Sequence, residues 1–117
     1  MRNIKKKRKP KKDRFLSARG GSSKFIIIAC AKCGTHVLLY QKDGPGGLLR
    51  MYLDRIHAPK SLVDVLYNIK KKSEFSGLKC SKCDALLAVP MVYNLEKRLA
   101  YRVIRGTVKQ VEDDDSF

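Results

Sequence analysis

The sequence predicts a small, mainly β domain braced through four cysteines, with an inserted loop and short helix, behind a disordered basic N-terminal tail. Three observations carry this expectation. The cysteines are Cys30, Cys33, Cys80 and Cys83, two Cys-x-x-Cys pairs separated by forty-six residues. Short apolar segments of β character flank each pair. Residues 1–24 hold eleven Lys or Arg against one acid, Asp13, and beyond Met1 their large apolar groups are Ile4, Phe15 and Leu16.

That opening segment buries too little apolar surface to offset the entropy of ordering it. It therefore reads as an extended tail, with Gly20-Gly21-Ser22-Ser23 as the hinge and a boundary near Lys24. The folded unit is expected over 25–111, followed by an acidic end at 112–117. A chain of 117 residues leaves room for one such domain.

From Phe25 the pattern is β. Phe25 to Ala29 is rich in β-branched residues and runs into the first cysteine pair, and Thr35 to Tyr40 leaves it: strand, knuckle, strand. Lys42 to Gly47 is a turn-rich loop. Leu48 to Ile56 is apolar with Arg50 and Arg55 set into it, and reads as strand or helix equally well. After Pro59, Ser61 offers an N-cap with Asp64 three residues on, and Leu62, Val65, Leu66 and Ile69 recur at helical spacing up to Lys70-Lys71-Lys72, which predicts a short helix.

The second half repeats the first in outline. Leu78 to Cys80 enters the second pair, Leu86 to Tyr93 leaves it, and Asn94 to Lys97 forms a turn. Leu99 to Val111 alternates and reads as the return strand of a long hairpin, with Leu99, Tyr101 and Val103 on one face. Pro90 cannot donate to a ladder, so it argues for an edge position or a bulge in its strand.

Two Cys-x-x-Cys pairs suit a tetrahedral ion, because a two-residue spacer lets one tight turn aim two thiolates at the same metal. Gly34 after the first pair suits that turn, and Asp84 holds the matching place after the second. A redox pair would normally be single and set in a βαβ unit. A disulfide framework needs an oxidising compartment, and the N-terminus lacks the apolar stretch of a secretory signal. Its lysines also fit poorly with an Arg- and Ser-rich mitochondrial transit peptide. Zinc is the expected metal, and iron in the same four-sulfur set stays open.

Four thiolates saturate the ion, so a structural role is expected and catalysis is not. A zinc deaminase would need His-x-Glu before its Cys-x-x-Cys. Here His36 precedes Val37-Leu38 and His57 precedes Ala58-Pro59, so neither fits, and with four cysteines present neither histidine is needed as a ligand.

Cys30-Ala31-Lys32-Cys33-Gly34 and Cys80-Ser81-Lys82-Cys83-Asp84, each between β segments, resemble the two knuckles of a zinc ribbon. The resemblance spans about residues 25–111. It departs from the usual pattern at Ala31 and Ser81, where a proline is familiar, and in the long spacer, whose excess falls between Gly44 and Lys72. Zinc ribbons serve in ribosomal proteins, transcription factors, polymerase subunits and nucleic-acid enzymes, so the resemblance implies a metal site and a fold more sharply than a task.

Charge supplies the task. The chain carries 26 Lys and Arg against 11 Asp and Glu, a net of +15. Residues 25–111 alone carry +9, or +7 with a four-thiolate zinc site. Such a surface seeks polyanions. The tail cations Lys5, Lys6, Lys7, Arg8, Lys9, Lys11, Lys12, Arg14 and Arg19 can neutralise a run of phosphates. Their competing readings are a nuclear localisation signal and a merely solubilising tail. Within the domain, Lys42 and Arg50 flank Gly44-Pro45-Gly46-Gly47, and Arg98, Arg102 and Arg105 with Tyr101 offer a second surface.

A lysine-rich tail on a small zinc-held globule looks like a ribosomal protein, and no recognition helix for a DNA major groove is evident. The expectation is therefore a structural zinc protein that binds rRNA in the ribosome, with ribosomal proteins as neighbours, in the cytoplasm or else in the nucleus or an organelle. The alternative is a transcription-associated ribbon that binds RNA polymerase or DNA. A membrane partner and a small-molecule substrate are not expected, since the longest apolar run, Phe25 to Ala31, is far short of the roughly 20 residues that span a bilayer.

Overall fold

The run Ile26-Ile27-Ile28 leaves no face for water, and it is built into the middle of a sheet. The computed structural model describes residues 9–15 and 23–117. In chain order the elements are β1 (Ser23–Cys30), β2 (His36–Asp43), β3 (Arg50–Tyr52), a 3-10 turn (Leu53–Arg55), β4 (Ile56–Ala58), α1 (Lys60–Tyr67), a second 3-10 turn (Lys72–Glu74), β5 (Leu78–Lys79), β6 (Leu86–Tyr93), β7 (Arg98–Val103) and β8 (Val108–Glu112). They form two four-stranded antiparallel sheets, ordered β4-β2-β1-β8 and β3-β7-β6-β5. The mainly β class is thus as the sequence predicts.

Each sheet is built around the same unit. In the first, β1, a knuckle and β2 are followed by β4 on the outer side of β2. In the second, β5, a knuckle and β6 are followed by β7 on the outer side of β6. Even the irregularities match: Ile28 faces Leu38 and Ala29 faces His36, while Leu78 faces Ala88 and Lys79 faces Leu86, so each ladder bulges at the residue between, Val37 or Leu87. Each half then lends one strand to the other's sheet, β3 to β7 and β8 to β1.

The core lies where the two sheets meet α1. Ile26, Ile28, Leu38 and Tyr40 enter it from the first sheet, Met51, Ala88 and Tyr101 from the second, and Leu66 from the helix. Phe75 meets Tyr101 edge-on, with ring centres 5.2 Å apart. The Tyr40 hydroxyl accepts the Tyr52 N–H at 2.9 Å, which satisfies a buried donor across the sheets.

Several local expectations resolve differently. The ambiguous stretch 48–56 is two short strands joined by a 3-10 turn. The helix starts one residue after Pro59, whose side chain makes no cap bond, so Ser61 lies inside it and Asp64 pairs with Lys60 at 2.7 Å instead of closing a capping box. It stops at Tyr67, short of Lys70, and the Glu74 carboxylate instead starts the second 3-10 turn by accepting the N–H groups of Lys70 and Lys71 at 2.7 and 2.8 Å. The expected single strand 99–111 is two: a turn closed by Thr107 N–H to Ile104 C=O at 3.2 Å, with Gly106 at φ 83°, sends β8 into the first sheet. Pro90 is at a local edge as expected, because β5 reaches only as far as Ala88 along β6.

Lys9 to Phe15, read from sequence as part of the tail, lies against the domain. Buried Gln41 grips the backbone of Lys11 at both ends, accepting its N–H at 2.6 Å and donating to its C=O at 3.1 Å. Asp13 meets Arg55 fork to fork, at 2.9 and 2.7 Å. Residues 1–8 and 16–22, with Lys5, Lys6, Lys7, Arg8 and Arg19, lie outside the described residues.

Candidate metal centre

Each knuckle is held by the same pair of backbone bonds. The N–H of Cys30 donates to Thr35 C=O at 2.9 Å and that of Gly34 to Cys30 C=O at 2.8 Å. In the second, Cys80 N–H reaches Ala85 C=O at 2.9 Å and Asp84 N–H reaches Cys80 C=O at 2.9 Å. The chain can turn this sharply only if the residue after the second cysteine has positive φ, and Gly34 and Asp84 stand at 80° and 63°.

The two turns face each other. Cys30 Sγ lies 3.6 Å from Cys83 Sγ and Cys33 Sγ lies 3.5 Å from Cys80 Sγ. All four sulfurs lie within 4.8 Å of one another. A regular tetrahedron of about 2.3 Å bonds has edges of about 3.8 Å, so the set fits a zinc or iron ion with little movement. Cys30 and Cys80 are buried, and with Leu87 they make a small apolar cluster of their own, backed by Val37, Ala85 and Val108. That cluster spans both sheets, since Cys30 ends β1 and Leu87 belongs to β6. The turn between β7 and β8 ties them again, through Ala31 N–H to Thr107 C=O and Ile104 N–H to Leu87 C=O, both 2.9 Å.

The surroundings treat the thiols unequally. The Thr35 hydroxyl, 3.1 Å from Cys33 Sγ, and the Thr35 N–H pull the Cys33 thiol down to about 6. Backbone N–H groups of Cys83 and Lys82 lower Cys80. The Ala85 N–H favours a Cys83 thiolate too, but burial and the neighbouring sulfurs prevail and push that thiol up to about 11. The thiolate form of Cys33 is thus favoured over that of Cys83, and a divalent cation would supply the charge that holds thiolates this close together. His36 is not in the sulfur cluster; its Nδ1 lies 3.0 Å from Ser116 Oγ, which folds the acidic end back toward the first knuckle.

The expected nucleic-acid contacts divide. Lys9, Lys11, Lys12, Arg14, Arg102 and Arg105 are exposed. Arg50 is half-buried, with its guanidinium 4.0 Å from the Tyr93 ring centre. Two others are used inside the fold. Lys42 is buried and caps Gly44 C=O at 2.8 Å, closing the Gly44–Gly47 loop. Arg98 is buried between the rings of Phe15 and Tyr52, at 4.1 and 3.8 Å, and donates to Asp54 at 2.6 Å and Glu96 at 2.9 Å. An arginine in an alternating strand reads as solvated, but carboxylates brought in by tertiary packing bury it. Tyr101, expected beside these arginines, is a core residue.

Sequence reasoning missed Arg55, 1% exposed and bound at once by Asp13 and by Asp43 at 2.7 Å. The lone acid in a block of cations, followed by Phe15, was its signal. Among the described residues no helix is long and apolar enough to cross a membrane. Comparison with protein-family models, with curated proteins and with solved structures returns no match for this chain.

Proposed function

We propose that this chain is a structural zinc protein that binds RNA, as a ribosomal or ribosome-associated protein on rRNA. The zinc half rests on the four-sulfur cluster, compatible with a zinc ribbon, whose ligands fill a tetrahedral sphere and leave no position for substrate. No catalytic activity is assigned to it.

The RNA half rests on one observation: the exposed cations Lys9, Lys11, Lys12 and Arg14 sit on a segment held against the domain, in a chain of net charge +15. Cations anchored to a folded surface lose less freedom on meeting phosphates than cations on a free tail. A membrane partner and a small-molecule substrate form no part of this reading.

Co-sedimentation with ribosomal subunits from native cells, retained in moderate salt, is the expected result. Recovery with RNA polymerase alone would replace this reading by the transcription-associated one. Elemental analysis should give one zinc per chain, and a visible absorption band would mean iron.

A further inference from the structure

A groove of about 500 Å³ runs between the docked segment, α1 and the turn at residues 94–97. Its floor is apolar, formed in part by Leu53, Ile56 and Leu66. Tyr67, at the end of α1, stands on its margin with 80% of its surface exposed. Besides the buried Arg98, four cations, Lys11, Arg14, Lys70 and Lys97, come from three separate parts of the chain to line it.

Among the described residues, two carboxylates line the groove, Asp54 and Glu96, and both bind Arg98. The other four cations thus have no carboxylate partner among these lining residues, which together hold a net of three positive charges, five cations less two carboxylates. An apolar floor, an exposed phenol ring and surplus positive charge match a ligand with a flat apolar face and an anionic linker. The volume falls in the range of small-ligand sites and suits one base with its sugar.

We infer that this groove binds an unpaired nucleotide of a single-stranded RNA segment, with the base stacked on Tyr67 and its flanking phosphates held by Lys11, Arg14, Lys70 and Lys97. A duplex hides its base faces, so the groove recognises a loop, bulge or end. This inference rests on the RNA-binding reading and adds to it where on the protein an unstacked base is held.

The test uses the full, zinc-loaded chain with fluorescent oligouridine and, separately, a labelled RNA duplex, by anisotropy in moderate salt. Tyr67→Ala should weaken oligouridine binding about tenfold, the effect of one lost stack, and leave duplex binding unchanged. Tyr67→Phe should restore it. Lys70→Gln with Lys97→Gln should reduce the salt dependence of oligouridine binding, as two lost phosphate contacts require. Zinc content and circular dichroism, unchanged in each variant, show that folding is intact.

If the chain binds oligouridine and Tyr67→Ala binds it equally well, the groove assignment is wrong, the RNA reading stands, and the groove is left for a protein partner. Equal weakening of both RNAs would also overturn a single-strand site. Oligothymidine DNA bound as tightly as oligouridine would overturn the assignment to RNA. If neither RNA binds, the functional reading fails and the groove with it.

Discussion

Gly34 and Asp84 stand fifty residues apart and occupy the same place in the molecule. Each follows the second cysteine of its knuckle, each has positive φ, at 80° and 63°, and each donates its N–H to the carbonyl of the first cysteine, at 2.8 and 2.9 Å. A Cβ at Gly34 would meet no atom within 4 Å, so backbone conformation alone sets the cost of a side chain there. Gly34→Ala should therefore cost about 1–2 kcal/mol, and Gly34→Asn less, because short polar side chains tolerate this region. Asp84→Gly should be neutral or stabilising by up to ~1 kcal/mol. Urea denaturation of the zinc-loaded variants checks the order, and an Ala variant as stable as wild type would remove φ as the requirement.

A metal held by the four cysteines should matter to the whole domain, since the candidate ligands come in pairs from the two halves whose strands build the two sheets. Cys80→Ser removes a buried ligand from the centre of the small cluster with Cys30 and Leu87. Structural zinc contributes an apparent ~10–16 kcal/mol near neutral pH, as much as or more than the ~5–15 kcal/mol net stability of a typical domain. Chelation, or Cys80→Ser, should abolish the β circular dichroism of residues 25–111. Loose binding to phosphate polymers by the cations of the first 24 residues should persist. A metal-free chain with an unchanged spectrum would show instead that the apolar core between the sheets suffices.

Asp13 is held down at about 2, first by the hydrogen bonds from Arg55, with the Phe15 N–H adding to them. A lowered carboxyl stabilises docking fully above its free value of 3.8 and loses that contribution only as pH falls through about 2. Docking of residues 9–15 should thus be unchanged between pH 7 and pH 5, whereas Asp13→Asn should weaken it throughout that range. With one partner a quarter exposed, the loss is about 1–2 kcal/mol, a five- to thirtyfold rise in tryptic cleavage after Lys12 and Arg14. Cleavage that rises in wild type at pH 5 would contradict the ionised pair.

What could be read from the residues is what local spacing dictates. Both knuckles, their flanking strands and the edge position of Pro90 follow from turn geometry and the period of two. The route of β8 does not, because Val108 to Val111 alternates the same way whichever sheet receives it, and Gly106 alone hinted at the break. The burial of Arg98 depends on Asp54, forty-four residues away, and on Phe15 from the opposite end of the chain. Composition placed residues 1–24 in a tail, and composition averages over the single acid, Asp13, that anchors part of it. The candidate ligands were thus legible from spacing, while the ion cluster and the groove beside it exist only after distant segments meet.

Thr35 and Ala85 are the two halves' counterparts, each accepting the N–H of a first cysteine through its carbonyl, yet only Thr35 brings a hydroxyl to the sulfurs, 3.1 Å from Cys33 Sγ. That hydroxyl is the main cause of the low Cys33 thiol, so it favours the thiolate the metal requires. Thr35→Val keeps the strand's branched shape and removes the donor. Metal affinity should fall about tenfold, the lower end of what such supporting hydrogen bonds contribute, in chelator competition at fixed pH. Thr35→Ser should retain it. The contrast separates a hydrogen-bond effect from a packing effect: equal affinity in the Val variant would mean that the sulfurs alone set the strength of the site, and equal loss in the Ser variant would point to the methyl group instead.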